Sequence, residues 1–221
     1  MVRVRSHITP DSKWLLDQLL SEYAVKHIPS YAGWVASNAG SGLAAQEAFN
    51  LYVQTGTTPS SQGLFSAAAR FLNVAGRTFY LINFDKRIEL SFWFSRENSD
   101  PESVARVQLK SVNKEGALTN KGVGIEIDNT TVYGESYGTA RGTVSLGTIT
   151  LFRTVYVKIV HIPGQRVEFW LNNALVGTLT GNYVPSGETT DSFLVVSIIN
   201  GPTGGVNARL WCSHFLIVHK L

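Results

Sequence analysis

An alternating apolar run begins at Thr154, reaches Ile162, turns at Pro163-Gly164-Gln165 and resumes as Val167-Glu168-Phe169-Trp170-Leu171 before Asn172-Asn173. A period of two is the mark of a half-buried strand, and a short polar turn between two such runs makes a hairpin. A third run, Leu175-Val176-Gly177-Thr178-Leu179, follows the Asn-Asn pair. This stretch therefore commits to consecutive antiparallel strands, and the rest of the chain has to supply a fold that accommodates them.

From Trp34 onward the same character persists, with β-branched and aromatic residues in short alternating runs separated by Gly, Asn, Ser and Pro. That is the pattern of an all-β sandwich. Strands are predicted near 48–54, 64–72, 78–83, 87–95, 104–112, 122–128, 131–134, 143–149, 154–162, 166–172, 174–180, 192–199 and 209–219. The stretch from Ala36 to Ala48 is rich in small residues and carries no predicted strand before residue 48. Loops are expected at 54–63, 97–103, 137–142, 183–191 and 201–207, where sandwiches often carry recognition. A chain of 221 residues that is 44% hydrophobic can bury one large core.

The exception to the β pattern lies at residues 9–26, which read as an amphipathic helix. Thr9 can cap it, Pro10 suits its first turn and Asp11 complements its positive end. Leu15, Leu16, Leu19, Leu20 and Tyr23 form one apolar stripe at helical spacing. His27-Ile28-Pro29 ends the helix, because the residue before a proline avoids helical geometry. The organisation expected is thus an arm and helix over 1–33, followed by a sandwich over 34–221.

Charge argues against a dedicated nucleic-acid binder: the net charge is +3, and Lys and Arg are scattered rather than gathered into a run that would track phosphates. Arg3 and Arg5 form a small basic arm ahead of the helix. The lone Cys212 cannot form an internal disulfide. No segment is apolar for the length a bilayer requires, and Asp11, Lys13, Asp17 and Glu22 interrupt any signal-peptide core. The expectation is synthesis in the cytoplasm. Asn129-Thr130-Thr131 matches a glycosylation acceptor, which carries no weight without a secretion signal.

Strand phase nominates surface residues. In 88–95, Ile88, Leu90, Phe92 and Phe94 point one way, while Glu89, Ser91, Trp93 and Ser95 point the other. In 167–172, Glu168, Trp170 and Asn172 share the outward face. Trp93 and Trp170 are therefore candidates for stacking against the C–H face of a sugar, with Glu89 nearby to bind hydroxyls. The alternative for each tryptophan is burial beneath a covering helix or a second subunit. The five histidines include no pair at helical metal-ligand spacing, although His214 and Cys212 alternate on one side of the final strand. Asp100, Glu102, Asp128, Glu188 and Asp191 fall in loops without forming a Ca²⁺-binding motif, so no metal or cofactor is indicated, a structural Ca²⁺ held by loop carboxylates being the alternative.

The cadence of the 154–180 strands resembles the hairpins near the end of concanavalin-A-like jelly rolls, a superfamily of lectins, laminin-G-type domains, glucanases and virion surface proteins. The resemblance implies an antiparallel two-sheet sandwich over 34–221. Gly124-Ile125-Glu126-Ile127-Asp128 also looks like the opening of the Glu-x-Asp-x-x-Glu signature of the retaining glucanases with this fold. Glu126 and Asp128 occupy one strand face, but Thr130 and Thr131 stand where the third carboxylate belongs. Glu135 lies beyond a turn expected at Tyr133-Gly134, out of register with the other two.

The resulting expectation is a non-catalytic recognition or assembly module, a virion or particle structural protein with glycan-binding capacity. A glycan would meet Trp93, Glu89, Trp170, Glu126 and Asp128. Assembly, as a homo-oligomer or with other particle subunits, would use Leu15, Leu16, Leu19, Leu20, Arg3 and Arg5. A free lectin-like protein is the alternative, and a jelly-roll glucanase the third reading.

Overall fold

The computed structural model describes residues 23–28, 34–47, 50–68, 71–72, 79–80, 82–98, 101–111, 116–189, 191–203, 205 and 207–220. Within them the chain forms strands β1 (Tyr23–Ile28), β2 (Trp34–Ala39), β3 (Leu43–Glu47), β4 (Asn50–Gln54), β5 (Gln62–Ala68), β6 (Phe71–Leu72), β7 (Phe79–Tyr80), β8 (Ile88–Glu97) and β9 (Val104–Lys110). There follow β10 (Gly122–Asp128), β11 (Thr131–Tyr137), β12 (Arg141–Thr148), β13 (Val155–Ile162), β14 (Arg166–Leu171), β15 (Ala174–Thr180), β16 (Phe193–Ile199) and β17 (Arg209–Lys220).

Two antiparallel sheets face each other across the core. Sheet I runs β15-β14-β13-β8-β17-β4-β3, and sheet II runs β12-β11-β10-β9-β16-β5-β2. A small pair, β6 with β7, stands apart. Strand β17 is long enough to carry two partners end to end on one flank: β4 pairs with its residues 209–212 and β1 with residues 215–220.

Alternation along each strand builds the core. Ile88, Leu90, Phe92 and Phe94 of β8 are buried against Val123, Ile125 and Ile127 of β10, Phe169 of β14 and Phe215 of β17. Phe92 stacks on Phe215 with ring centroids 5.7 Å apart. Each such side chain contributes about 2 to 3 kcal/mol on leaving water. Arg96 continues the same inward phase of β8 and is fully buried. It donates to the Ile127 carbonyl at 2.8 Å and the Ser103 carbonyl at 3.0 Å, tying the two sheets together at one end of the sandwich.

The N-terminal expectation needs correction. Residues 9–22 of the expected helix, with Leu15, Leu16, Leu19, Leu20 and the arm residues Arg3 and Arg5, lie outside the described residues. Tyr23–Lys26 are not helical: they open β1, which is hydrogen-bonded to β17 on the near side of the expected boundary at residue 34. The flank of β17 left open beyond Cys212 offers backbone groups that a strand satisfies and a helix cannot. Two further strands, β2 and β3, occupy the small-residue stretch where none was expected. The turn expected at Tyr133-Gly134 does not exist; the chain turns at Asn129-Thr130, and β11 continues unbroken to Tyr137.

Candidate functional site

The outer face of sheet I carries an open groove of about 250 Å³ lined by Asn50, Trp93, Ser95, Glu97, Thr154, Trp211 and Ser213. Trp93 pairs with Ser213 and Trp211 with Ser95 across the β8–β17 ladder, so each indole stands opposite a small hydroxyl residue and the serines form the floor. The two tryptophans are thereby separated along the strands with a trough between them. Trp93 is 41% exposed and packs on Tyr156 of β13, with centroids 5.1 Å apart. Trp211 packs on Tyr52 of β4 at 4.8 Å.

Polar groups edge this groove. Arg209 lies over the Tyr52 ring at 5.1 Å, donates to Gln54 at 3.0 Å and pairs with Glu97 at 3.5 Å. Beyond the groove on the same face, at the level of Ser91, Lys158 Nζ sits 4.5 Å above the centre of the Trp170 ring, whose Nε1 donates to Glu168 at 3.3 Å. A bulge in β17 between Ser213 and Leu216 lets the strand keep both sheet partners while reversing its phase. His214 occupies that bulge at a φ of 55° and is exposed, with Nδ1 2.9 Å from Ser213 Oγ. Cys212 is buried in the core, and its burial pushes the thiol well above its ordinary pKa. The expected sharing of one side by Cys212 and His214 is therefore corrected: the bulge sends them to different environments.

The outer face of sheet II has a different chemistry. Glu126 of β10 accepts from Arg106 Nε at 2.9 Å and from Arg141 Nη2 at 2.8 Å. Glu135 of β11 is fully buried, accepting from Arg141 at 3.0 Å and from Gln108 Nε2. Burial pulls the Arg141 guanidinium down, but the Glu135 and Glu126 carboxylates outweigh it and hold its pKa above the ordinary value. Glu135 reaches this face because the hairpin turns at Asn129-Thr130, placing it beside Gly124 and two residues from Tyr133, the partner of Glu126. The expectation that Glu135 cannot come into register is thus corrected. Asp128, at the exposed end of β10, takes no part in the network.

The candidate glycan residues consequently fall in two places. Trp93, Glu89 and Trp170 share the outer face of sheet I, with Glu89 held by Arg87 at 2.7 Å. Glu126 and Asp128 are on sheet II, across the core, and cannot contribute to the same site. The groove residues missed in sequence are Trp211, Asn50, Ser213, Glu97 and Thr154, together with Tyr52 and Tyr156, which pack against its two tryptophans. The phase of β4, with Asn50, Tyr52 and Gln54 alternating against buried Leu51 and Val53, was a usable signal. Among the described residues no group of three or more His, Cys, Asp or Glu is placed to hold a metal ion, and no helix is long and apolar enough to cross a membrane.

No protein-family profile and no curated protein matches this sequence. Solved structures do share its fold. A botulinum neurotoxin type C structure, from work on the dependence of its cell entry on two ganglioside molecules, superposes with a TM-score of 0.57 at 10% identity, covering 91% of this chain and 49% of that one. A sialidase gives 0.58 at 11% identity, over 88% of this chain and 18% of the enzyme. A protein of unknown function from Shewanella oneidensis MR-1 gives 0.57 at 12% identity, over 99% of this chain and 96% of its own. The chain thus spans about half the length of the toxin chain, under a fifth of the sialidase and nearly all of the Shewanella protein. At these identities the likeness is one of fold, an all-β sandwich.

Proposed function

We propose that this chain is a glycan-binding module of the concanavalin-A-like jelly-roll type that acts without catalysis, with the outer face of sheet I as its binding surface. The observation that carries the reading is the groove between Trp93 and Trp211, two indoles standing over a floor of Ser95 and Ser213. Indole faces pack against the apolar faces of pyranoses, and hydroxyl and amide groups beside them bind the sugar's hydroxyls. The shared fold of a toxin whose cell entry depends on gangliosides and of a sialidase supports a glycan as the ligand class.

Catalysis of the two-carboxylate kind is disfavoured by the placement of the acids. Among the described residues Glu97 is the one carboxylate that lines the groove, and it pairs with Arg209. Glu126 and Glu135 sit on the other sheet, each already accepting from arginine. A glycan array followed by calorimetry on the wild type, Trp93→Ala and Trp211→Ala tests the proposal. Each substitution is expected to weaken binding by about 1 to 3 kcal/mol, the range for losing an aromatic anchor. Unchanged affinity in both variants overturns it.

A second reading, a repeated subunit of a particle such as a virion, draws on edge strand β15, where Leu175 and Val176 are exposed at 50% and 38%. Apolar side chains on an open edge invite pairing with another chain. Light scattering decides it: a defined oligomer that dissociates on Leu175→Lys supports the reading, and a monomer removes it.

A further inference from the structure

Five aromatic side chains stand on the outer face of sheet I, one from each of five adjacent strands: Trp170 on β14, Tyr156 on β13, Trp93 on β8, Trp211 on β17 and Tyr52 on β4. The ladders fix their relative heights. Tyr156 is level with Trp93, and Tyr52 with Trp211. Trp170 pairs with Lys158, which pairs with Ser91, two residues to one side of Trp93; Trp211 pairs with Ser95, two residues to the other. The rings therefore form a staircase running diagonally across the strands. Four inter-strand spacings of about 4.8 Å and a four-residue stagger at about 3.3 Å per residue make it roughly 23 Å long, which accommodates about four pyranose rings end to end.

The end of the staircase at β14 carries a distinctive charge. Arg87, Arg166 and Arg209 on this face each pair with a glutamate, Glu89, Glu168 and Glu97 respectively. Lys158 has no carboxylate within salt-bridge distance among the described residues. The residue is half-buried, and its ammonium rests on the face of Trp170 with hydrogen-bonding capacity to spare. An anionic group meeting it gains a charge-assisted bond without displacing an existing partner. Glu168, the nearest acid along β14, is already neutralised by Arg166 at 2.7 Å.

We infer that the staircase binds an extended oligosaccharide laid across the strands and that Lys158 selects a chain bearing a carboxylate or sulfate at the Trp170 end. The inference rests on the glycan-binding reading of the Trp93–Trp211 groove and extends it to both sides. The central pair of tryptophans supplies affinity, the outer rings supply dependence on chain length, and Lys158 supplies the preference for charge.

Calorimetry of the full chain against three series of one to five units tests this: galacturonate oligomers, κ-carrageenan oligomers whose charge is sulfate alone, and neutral cello-oligomers. Affinity for at least one acidic series is expected to rise up to about four units and to exceed the neutral series at least fivefold in 50 mM salt, the gap narrowing as salt is raised. Lys158→Met is expected to lower the acidic series to the neutral level and leave the neutral series unchanged. Trp170→Ala is expected to abolish the gain beyond two units while sparing the disaccharide. Equal affinity for short and long chains, or an equal effect of Lys158→Met on acidic and neutral series, overturns the inference. If neutral glycans bind and acidic ones do not, the inference falls and the groove reading stands; if no glycan of the array binds, both fall.

Discussion

Glu126 and Glu135, on neighbouring strands, accept hydrogen bonds from the same nitrogen, Arg141 Nη2, at 2.8 and 3.0 Å. This shared donor brings the two carboxylates together and also occupies them. With Arg106 on one and Gln108 on the other, the cluster is a cross-strand tie over β9, β10, β11 and β12.

Loss of the buried member of that pair should be costly. Glu135→Ala leaves the Arg141 charge without its fully buried partner, a defect worth about 3 kcal/mol. Glu126→Ala should cost less, about 1 kcal/mol, because its side chain retains some contact with water. Urea denaturation measures both, and glycan affinity should be unaffected, since the groove is on the other sheet. A Glu135→Ala variant as stable as the wild type would show that the tie contributes nothing.

The tie depends on an absent side chain. Gly124 lies between Glu135 and Gln108 in the ladder, so the amide crosses a strand that presents no Cβ. A Cβ there would stand 2.5 Å from the Val107 carbonyl oxygen and 2.9 Å from Gln108 Cγ. Backbone cannot withdraw as a flexible side chain can, so Gly124→Ala should destabilise by about 2 kcal/mol. A thermal melt indistinguishable from wild type would contradict this.

Acid should loosen the sandwich through two buried histidines. Burial lowers the pKa of His161, against the opposing pull of the Pro185 and Lys86 carbonyls and of Asp85. Burial likewise lowers His219, aided by the charge of Lys86 and opposed by the Asn83 carbonyl and Glu188. Near pH 6.5 the unfolded chain therefore binds more protons than the folded one. Their contribution to stability is present above that pH and is lost as pH falls through the lower folded values, at no more than about 1.4 kcal/mol per pH unit for each group. Urea midpoints taken from pH 8 to pH 5 should fall, and the double variant His161→Gln/His219→Gln should flatten the decline.

How legible each part was follows from where its determinants lie. The β13–β15 meander is written locally: Gly164, Asn172 and Asn173 supply the left-handed backbone that its turns need, at φ of 64°, 48° and 68°. Strands β2 and β3 are not, because Ala, Ser and Asn have little strand preference and their ladders with β5 and β4 provide the drive; β1 does carry Tyr, Val and Ile, but it runs on from a leucine stripe at helical spacing, and only its ladder with β17 marks it as a strand. Trp93 and Trp170 were readable from phase. Phase, however, says which side of a strand a residue faces and not which sheet the strand joins, so Glu126 and Asp128 were grouped with tryptophans on the opposite layer. The bulge after Ser213 likewise separated His214 from Cys212 without any Gly or Pro to announce it.

Phe152 offers the last test, because it is both strained and wasteful of apolar surface. It sits at a φ of 62°, fixed by a 2.9 Å hydrogen bond from its N–H to the Arg96 carbonyl, with its side chain 63% exposed. A left-handed backbone costs a residue with a Cβ about 1 to 2 kcal/mol, and an exposed ring recovers none of that by packing. Such strain concentrates where ligands are held, and Phe152 lies two residues before Thr154, which lines the groove. Phe152→Gly should raise stability by less than about 1 kcal/mol, since relief of strain is partly offset by the freer unfolded chain of glycine. The same variant should bind glycan about threefold more weakly. A variant that loses stability would show that the ring packs to hold its loop, and one with undiminished affinity would place Phe152 outside the binding surface.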